Sequence, residues 1–305
     1  MSGAGAVIVT YNSAAVIGEC LDALGNLPAV VVDNASADDT LARAAGRPNV
    51  MLVANPENRG FAAAVNQGIA ALDCELILIL NPDARLLGGL EPLAEACRHW
   101  GIAAGRLVDA GGRTQKGFTI RRFPTPLTLW AEVLGINRLW PSNPVNRRYR
   151  YLDRDLQQAG EVEQPAGAFL MVRKDVWKQA GGFDEAFHPV WFEDVDFCLR
   201  ARRLGYTARF HPGATAQHAG GNSVRQLDGS RRAIYWYASL LMYAFKHFRP
   251  GRARGVALAV LIGAAPRAVA GVVLERKSKP LEVYWKVARI ALQYLTQGRP
   301  PAGGQ

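Results

Sequence analysis

Short apolar runs alternate with segments of helical periodicity over the first hundred residues of the chain. The runs AVIVT (6–10), AVVVD (29–33), VMLVAN (50–55) and ELILIL (75–80) are rich in β-branched residues, and each precedes a stretch with helical spacing. Strands that alternate with helices in this way form a parallel sheet that helices cover on both faces. We therefore expect an α/β fold with a mainly parallel central sheet flanked by helices.

The chain of 305 residues is long enough for one large or two modest domains. We predict a catalytic domain over 1–225, in which 105–164 form an irregular, basic insertion, and a helical, basic and amphipathic C-terminal region over 226–305. Residues 113–154 hold nine Lys and Arg against two Asp and Glu. This insertion is either a solvated loop or a loop that grips an anionic acceptor.

Positive charge is concentrated at the C-terminal end of the chain. Residues 231–305 hold 13 Lys and Arg against two Asp and Glu, whereas residues 1–230 hold 23 against 24. Within this region, Pro266 and Arg267 interrupt an apolar stretch at 255–275, and each half is shorter than the roughly 20 residues that span a bilayer. Basic residues beside apolar faces with Trp and Tyr are typical of interfacial helices on anionic membranes. A helical subdomain or a homodimer contact is the alternative.

The N-terminal segment MSGAGAVIVTYNS has no basic region followed by a long apolar run, so we expect no secretory signal. Together with the basic C-terminal region, this indicates a cytoplasmic protein that is peripheral on the inner face of the cell membrane.

Two groups of carboxylates lie in unusually apolar surroundings. The segment VWFEDVDFCLR (190–200) holds Glu193, Asp194 and Asp196, and Asp83 follows the apolar run of LILILNPDA (76–84). Carboxylates are seldom buried without a partner or a task. One acid near a metal and a second near a nucleophile would serve the transfer of a phosphate-activated group.

Polar residues follow several of the predicted strands, where parallel sheets bind their ligands. Asp33 could accept a hydrogen bond from the imide N–H of uracil or thymine, or it could cap the helix that follows. Arg59 and Gly60 precede a helix N-terminus, which favours phosphate. Asp83 could bind a divalent cation shared with substrate phosphates, and His218 is either a second ligand or a structural histidine.

Six segments occur in an order that is similar to one known family. They are VIVTYNS, VVDNASADDT, NRGFAAAVNQG, LILNPDA, PAGAFLMVRKDVWKQAGGFDE and WFEDVDFCLRARRLGY, and they cover about residues 6–220. The chain resembles the family 2 glycosyltransferases of the GT-A fold, and within them the rhamnosyltransferases that use dTDP-L-rhamnose. The resemblance implies a GT-A nucleotide-diphospho-sugar transferase fold with a C-terminal, membrane-associating helical extension.

The resemblance also implies roles for individual residues. Asp194 matches the catalytic base of the family, and Asp83 matches the last acid of its D-x-D metal motif, whose first acid is Asn81 here. The expected metal is Mg²⁺ or Mn²⁺, held by Asp83 and His218. The acceptor or sugar would contact Gly167, Ala168, Trp191 and Glu193. The nucleotide would contact Thr10, Tyr11, Asn12, Asp33, Asn34, Arg59, Gly60, Asn81 and Asp83.

The implied reaction is inverting. It adds a single sugar, because the Q-x-x-R-W motif of processive members is absent from the sequence. Its acceptor would be a glycan or a polyprenyl-diphosphate-linked saccharide of cell-envelope polysaccharide synthesis. A sugar nucleotidyltransferase would carry a basic, Gly-rich loop after the first strand, but residues 7–19 hold no Lys or Arg. A non-catalytic membrane or nucleic-acid scaffold is a further alternative. The apolar composition between the C-terminal charges favours lipid, so we expect no nucleic-acid partner.

Overall fold

The structure is a computed structural model that describes residues 3–220 and 226–298. Contacts divide the chain into two compact units. The α/β unit comprises Met1–Phe123, Arg150–Pro189 and Glu193–Gln226, and the helical unit comprises Pro124–Tyr149, Val190–Phe192 and Leu227–Gln305. The domain boundary expected after residue 225 touches the segment 221–225, which lies outside the described residues, and it stays a prediction.

The elements are numbered along the chain. The strands are β1 (Ala4–Thr10), β2 (Ala29–Asn34), β3 (Val50–Asn55), β4 (Leu76–Leu80), β5 (Ala84–Leu86), β6 (Gly101–Val108), β7 (Ile120–Arg121), β8 (Gly160–Val162), β9 (Gln164–Pro165), β10 (Phe169–Arg173) and β11 (Thr207–His218). The helices of the α/β unit are α1 (Ile17–Leu24), α2 (Thr40–Ala44), α3 (Phe61–Ala71), α4 (Glu91–Trp100), α8 (Lys174–Ala180) and α9 (Glu193–Arg203). Those of the helical unit are α5 (Pro126–Val133), α6 (Ile136–Leu139), α7 (Pro144–Tyr149), α10 (Gly229–His247), α11 (Pro250–Glu275) and α12 (Lys279–Gln297).

Within the described residues, nine strands form one sheet in the order β3-β2-β1-β4-β10-β6-β11-β5, and β8 pairs with β11. The first four strands of this order are mutually parallel, and β6 and β11 are also parallel. Strand β10 is antiparallel to both of its neighbours, β4 and β6. The expected α/β fold with a mainly parallel centre is therefore confirmed, and the carboxyl ends of β2, β1 and β4 lie side by side.

Strands β1, β2 and β4 read as uninterrupted apolar runs because they are buried on both faces of the sheet. In β1, Val7 and Val9 join the hydrophobic cluster that contains α3, α8 and α9, whereas Ala6 and Ile8 join the cluster that contains α1 and α4. Successive side chains of a strand point to opposite faces, so each run supplies both cores. Gly68 of α3 permits the close approach of this helix, since a Cβ there would lie 2.5 Å from Val7 Cγ1.

The segment 105–164 is more ordered than its composition indicates. It contains the helices α5, α6 and α7 and the strands β7 and β8, where the sequence predicted an irregular insertion. Part of the segment, 124–149, also belongs to the helical unit. The helices are short and their apolar positions pack against residues distant in sequence, so local periodicity carries little sign of them.

Helix α11 runs through Pro266 and Arg267, where an interruption was expected. A proline removes one helical hydrogen bond, but Ala264 and Ala268 on either side of it remain helical and buried. The Arg267 guanidinium adds hydrogen bonds to the carbonyl oxygens of Gly263 and Glu132. Of the helices in the described part of the chain, α11 alone is long and apolar enough to cross a membrane by length and composition, with 39% of its most apolar window buried.

Candidate active site

The first cluster of polar side chains lies where β1 and β2 end. Thr10 Oγ1 donates a hydrogen bond to Asp33 Oδ1 at 2.7 Å, and the Ser36 amide donates to Asp33 Oδ2 at 2.8 Å. Asp33 is 1% exposed and also accepts from the Ser36 hydroxyl. Asp33 therefore fixes the turn at 33–36, and it does not cap α2, which begins only at Thr40.

The neighbouring segment of the first loop is tied to the same turn. The Asn12 amide donates to Ser36 Oγ at 2.8 Å, and the Ala37 amide donates to Asn12 Oδ1 at 2.7 Å. The backbone amide of Tyr11 donates to Ser13 Oγ at 3.3 Å, and Tyr11 is half-buried. Four of the predicted nucleotide residues thus border one turn at the carboxyl edge of the sheet.

Asn34 and Gly60 hold the loop that precedes α3. Asn34 Nδ2 donates to the Gly60 carbonyl at 3.1 Å, and Asn34 Oδ1 accepts from Asn55 Nδ2 at 3.0 Å. Gly60 has φ of 82°, and a Cβ at this position would lie 2.7 Å from His188 Nδ1, so a glycine is required. Asn34 is buried and positions the loop, whereas the adjacent Arg59 is exposed.

Asn81, Asp83 and His218 meet beyond the end of β4. His218 Nε2 lies 3.4 Å from Asp83 Oδ1 and 3.3 Å from Asn81 Nδ2, and the side chains of His218 and Asp83 are only 1% and 2% exposed. Strand β11 pairs His218 with Ala84 of β5. This pairing brings His218 next to Asp83, which is 135 positions earlier in the sequence. The two residues predicted to bind metal are therefore adjacent.

The donor set of this cluster fits a divalent cation that a diphosphate would share. An imidazole nitrogen and a carboxylate oxygen that face each other attract a cation or a proton. Magnesium commonly takes one or two carboxylates and completes its shell with water and substrate phosphates. Among residues 3–220 and 226–298, no group of three or more His, Cys, Asp or Glu side chains could hold a metal. A metal here would therefore depend on substrate oxygens.

Asp194 occupies the first turn of α9 and accepts hydrogen bonds on both carboxylate oxygens. Oδ2 accepts from the Gly167 amide at 2.9 Å and from Gln164 Nε2 at 3.3 Å, and Oδ1 accepts from the Val195 amide at 2.8 Å. Burial by the surrounding residues raises the pKa of Asp194, while the Gly167 hydrogen bond and the positive charge of Arg121 lower it. The residue remains partly exposed, so a substrate group can reach it.

The segment 164–168 joins Asp194 to the metal-site cluster. The backbone amide of Gly167 donates to Asp194. The carbonyl oxygen of the next residue, Ala168, accepts a hydrogen bond from the backbone amide of Asn81 at 3.1 Å. A Cβ on Gly167 would lie 3.4 Å from Asp194 Cβ, so the backbone at Gly167 and the Asp194 side chain are close together. The backbone of Gly167 and Ala168 thus joins Asp194 to Asn81, and His218 contacts both Asn81 and Asp83. These contacts link the two acids that the sequence singled out.

The remaining residues of the acidic segment differ in their surroundings. Asp196 is fully buried and pairs with Arg200 at 2.8 Å, and Arg200 also donates to the Gly182 carbonyl at 2.6 Å. This ion pair ties α9 to the end of α8 and is structural. Glu193 is 4% exposed. Trp191 groups with the helical unit, so its predicted contact with the acceptor stays a prediction.

Sequence reasoning missed four residues that surround the candidate site. Gln164 donates a hydrogen bond to Asp194, and the positive charge of Arg121 lowers the pKa of Asp194. Gln115 and Phe118 lie against His218. All four belong to the segment predicted to be an irregular insertion, whose composition pointed only to positive charge. No local motif distinguishes them, because their partners lie from 30 to 103 residues away.

Comparison with known proteins identifies relatives of the whole α/β unit. Residues 6–179 match the family described as "Glycosyl transferase family 2", and residues 135–235 match "Glycosyltransferase like family 2". An N-acetylglucosaminyl-diphospho-decaprenol L-rhamnosyltransferase of Mycobacterium tuberculosis is 28% identical over 234 residues, which cover 72% of this chain and 75% of the relative. A low-salt glycan biosynthesis hexosyltransferase of Haloferax volcanii is 24% identical over 65% of this chain and 61% of its own.

Solved structures with a similar fold are also glycosyltransferases. TarS of S. aureus (residues 1–349, with UDP-GlcNAc) superposes with a TM-score of 0.57 at 16% identity, covering 97% of this chain and 82% of that one. The mannosyltransferase PcManGT of Pyrobaculum calidifontis, solved with GDP-Man and Mn²⁺, gives a TM-score of 0.52 at 17% identity, covering 97% and 88%. These likenesses establish a GT-A fold.

Proposed function

Because this chain belongs to glycosyl transferase family 2, we propose that it moves a single sugar, with inversion, from a nucleotide-sugar donor to a hydroxyl of a lipid-linked glycan. The relatives are glycosyltransferases of glycan synthesis, and the mycobacterial L-rhamnosyltransferase supports L-rhamnose as the sugar and a polyprenyl-diphosphate saccharide as the acceptor. The choice of dTDP-L-rhamnose as the donor rests on the resemblance of the sequence motifs. The observation that carries this proposal is the linkage of Asp194 to Asn81, Asp83 and His218 at one edge of the sheet.

Asp194 acts as the general base in this reaction. Its carboxylate takes the proton of the acceptor hydroxyl as that oxygen attacks the anomeric carbon, and the bond from this carbon to the diphosphate breaks. The amides of Gly167 and Val195 and the side chain of Gln164 occupy three of the carboxylate's roughly four acceptor positions, so one remains for the incoming hydroxyl. Like the glycosidase reaction, this displacement passes through an oxocarbenium-like transition state.

Asp83 and His218 would hold a divalent cation, with Asn81 as a neutral neighbour. Such a cation neutralises the charge that develops on the departing diphosphate. Asn81 stands where the family motif has its first acid, so the site carries one negative charge fewer and should depend more strongly on the nucleotide for metal affinity. Activity is expected to fall with excess EDTA and to return with Mg²⁺ or Mn²⁺; full activity in EDTA would contradict the metal assignment.

The nucleotide would bind at the turn that Asp33 organises. A carboxylate offers about four acceptor positions, and Asp33 uses three of them for Thr10 and for the amide and hydroxyl of Ser36. The fourth position suits the imide N–H of thymine or uracil. The exposed Arg59 and the N-terminus of α3 next to it favour phosphate.

A donor screen tests the reaction class directly. The full-length protein is incubated with a set of dTDP- and UDP-sugars and a polyprenyl-diphosphate-linked saccharide, and the released nucleoside diphosphate is quantified. Acceptor-dependent release from dTDP-L-rhamnose is expected, with an anomeric configuration in the product that is opposite to that of the donor by NMR. Release from a UDP-sugar instead would overturn the donor assignment, and no release from any donor would overturn glycosyl transfer.

The Asp194→Asn variant tests the role of the base. Asparagine keeps the shape of the side chain but accepts no proton at the required strength, so turnover should fall by at least about 10²-fold. Binding of the nucleotide, measured by calorimetry, should be unchanged. The matched control is Asp175→Asn, which removes an acid that is paired with Arg173 on the surface. Turnover of the Asp194 variant within threefold of wild type would remove this residue from the role.

The same proposal includes peripheral attachment to an anionic membrane through the helical unit. Helix α11 exposes Leu258, Ile262, Val269 and Val273, with exposed fractions of 51%, 59%, 61% and 70%. These residues follow one another at spacings of four, seven and four positions and therefore lie on one face of the helix. The opposite face is buried through residues such as Val256 and Val260. An apolar stripe on a helix whose other side is packed suits a membrane surface better than a membrane span.

A second exposed apolar segment borders this stripe. The Trp130 ring lies against Gly255 of α11, where an added Cβ would approach its Cζ2 to 2.9 Å. Gly255 lies three residues before Leu258, on the same side of the helix. At the end of α6, Leu139 is 87% exposed, and the next residue, Trp140, is 57% exposed. Tryptophan and leucine at such positions insert into the interfacial region of a bilayer.

Basic residues flank the stripe and support an anionic membrane as the partner. Exposed arginines precede and begin α11 at Arg249, Arg252 and Arg254, and Arg276 and Lys277 follow its end. Each Lys or Arg near an anionic leaflet contributes about 1 kcal/mol. The combination of apolar stripe and basic ends is complementary to a surface of anionic headgroups over acyl chains.

Vesicle flotation tests this attachment. Wild-type protein should float with vesicles that contain phosphatidylglycerol, float less with phosphatidylcholine alone, and be released by high salt. The double substitution Ile262→Glu with Val269→Glu should abolish flotation, while Met51→Glu, which changes a 54% exposed residue of the α/β unit, should not. Equal flotation of both variants would contradict the assignment. A wild-type dimer that the double substitution dissociates, without vesicle binding, would identify a second copy as the partner instead.

A further inference from the structure

The His218 ring is held on its face and on one edge by residues of the loop that follows β6. Phe118 stacks on the imidazole with 5.2 Å between ring centroids and 11° between planes. Gln115 contacts the same residue twice, through Nε2 to the His218 carbonyl oxygen at 2.7 Å and through Oε1 to Nδ1 at 3.0 Å. Two neighbours of different chemistry therefore fix the tilt and the rotation of the ring.

The backbone of Gln115 is itself anchored. Its amide donates to the Leu107 carbonyl of β6 at 2.9 Å, and its carbonyl accepts from the amides of Phe118 and Thr119 at 3.2 and 3.1 Å. The side chain thus extends from a rigid loop. A side chain with so few alternatives loses little entropy when it binds His218, which suits a residue that positions another.

The two contacts of Gln115 decide which nitrogen of His218 carries the proton. A backbone carbonyl can only accept a hydrogen bond, so the atom of Gln115 that faces it must be the NH₂ group. The other amide atom, which faces Nδ1, is then the oxygen and can only accept. In neutral imidazole one nitrogen donates and the other accepts. Nδ1 must therefore carry the hydrogen, and Nε2 presents its lone pair.

That lone pair lies in the candidate metal site. Nε2 is 3.4 Å from Asp83 Oδ1, and the NH₂ group of Asn81 at 3.3 Å is a donor that matches an accepting Nε2. If Nδ1 had no hydrogen-bond acceptor, the Nε2–H tautomer of His218 would be favoured, because its hydrogen could bond the Asp83 carboxylate. A protonated Nε2 cannot bind a metal.

We infer that Gln115 is a positioning residue, whose amide oxygen holds His218 in the Nδ1–H tautomer and directs the Nε2 lone pair towards Asp83. The value of this arrangement for metal binding rests on the proposed function, whereas the tautomer is a property of the protein alone. Gln115 itself was singled out neither by the family motifs nor by the composition.

Long-range ¹H–¹⁵N NMR of the histidine side chains tests the tautomer in metal-free protein. The chain has five histidines, and the His218→Gln variant identifies the signal of His218. At about pH 8, where imidazole is ordinarily neutral, wild type should show a protonated Nδ1 and an unprotonated Nε2. The Gln115→Leu variant should shift the hydrogen to Nε2, and Gln115→Glu, which keeps an acceptor at Nδ1, should retain it there. An Nε2–H tautomer in wild type would overturn the inference without any variant.

Binding of Mn²⁺ in the presence of dTDP, measured by titration calorimetry, gives the second readout. Loss of a residue that orients a metal ligand typically costs 10- to 100-fold in metal affinity, and Gln115→Leu should fall in that range. Gln157→Leu is the matched control, because Gln157 bonds the Arg106 side chain at 2.9 Å in the same unit. Unchanged tautomer and affinity in a folded Gln115→Leu variant would overturn the inference. An Nδ1–H tautomer in a wild type that binds no Mn²⁺ would support the positioning role and refute the proposed metal.

Discussion

At the scale of single residues, Asp194 experiences opposing influences on its ionisation. Burial raises the pKa of its carboxyl group, whereas the Gly167 amide and the charge of Arg121 lower it, and burial prevails. A general base works best when its pKa approaches the working pH, because a stronger base takes the proton more readily. The packing around Asp194 therefore has a catalytic consequence, provided that the carboxylate remains ionised in the cell.

The pH dependence of kcat/KM follows from this shift. Because the base acts in its ionised form, activity should fall as pH decreases through the raised pKa, above the value of about 3.9 for an ordinary aspartate. Arg121→Gln removes a positive charge that favours the carboxylate, so the acidic limb of the profile should move to higher pH. Profiles of wild type, Arg121→Gln and the exposed-site control Arg113→Gln would check this. A limb that stays in place or moves to lower pH in the Arg121 variant would contradict it.

The chemistry-bearing residues divide into those that sequence could identify and those that it could not. Asp33, Asp83 and Asp194 stand out because an acid directly after an apolar run, or inside one, is unusual in any protein sequence. Gln115 and Gln164 do not stand out, because glutamine in a polar loop is ordinary and only its distant partner gives it a role. The family motif favoured Asp194 over Asp196 as the base, and the structure adds a physical difference, since Asp196 is fully buried and paired with Arg200.

At the scale of elements, helix α11 accommodates α5 through glycines on the side that faces it. An added Cβ at Gly263 would lie 2.3 Å from the Val133 carbonyl oxygen at the end of α5, and one at Gly255 would meet the Trp130 ring. Arg267 completes the contact by donating to the carbonyl oxygens of Glu132 and Val133. The C-terminal end of α5, whose last carbonyls have no helical partner, is thus satisfied by another helix.

Substitution of Gly263 should therefore disturb this helix pair. Gly263→Ala introduces a methyl group against a carbonyl that is itself held by Arg267, and we expect a loss of about 1–3 kcal/mol in the free energy of unfolding. Gly251→Ala is the control, because a Cβ there meets no atom within 4 Å and alanine favours the helix. Urea unfolding followed by circular dichroism would compare the two. Equal stability of both variants would contradict the close contact.

The elements that sequence predicted well are those with uniform burial. Strands β1, β2 and β4 are covered on both faces and read as apolar runs of the right length, so the parallel sheet was evident. The two-residue strands β7 and β9 depend on partners elsewhere in the chain and gave no local signal. Helices α5 and α7 each begin with a capping residue before a proline, Thr125 and Asn143, but they are too short for a clear apolar periodicity. Pro266 led to the opposite error. It predicted an interruption of the helix, whereas α11 continues through it.

At the scale of the whole molecule, charge follows the two compact units more closely than it follows the sequence. The residue ranges of the helical unit hold 16 Lys and Arg against four Asp and Glu, and those of the α/β unit hold 20 against 22. The arginines of 124–149 thus join those of the C-terminal helices, although about 80 residues separate them in sequence. The unit that would bind the nucleotide is nearly neutral, and the unit with the apolar stripe carries the positive charge.

This division predicts that the C-terminal helices cannot be removed cleanly. In the full chain, α11 packs against α5, whose Leu129 and Val133 are 2% and 0% exposed. A chain that ends at Gln226 would expose this apolar face to water, and exposed patches of this kind lead to association. We expect the shortened protein to aggregate in size-exclusion chromatography with light scattering, whereas a chain that ends at Gly298 should behave like the full-length protein. A monomeric, folded product ending at Gln226 would refute the grouping of 124–149 with these helices. If the shortened chain does aggregate, its failure to bind vesicles would carry no information about the membrane, and the point substitutions on α11 become the decisive measurement.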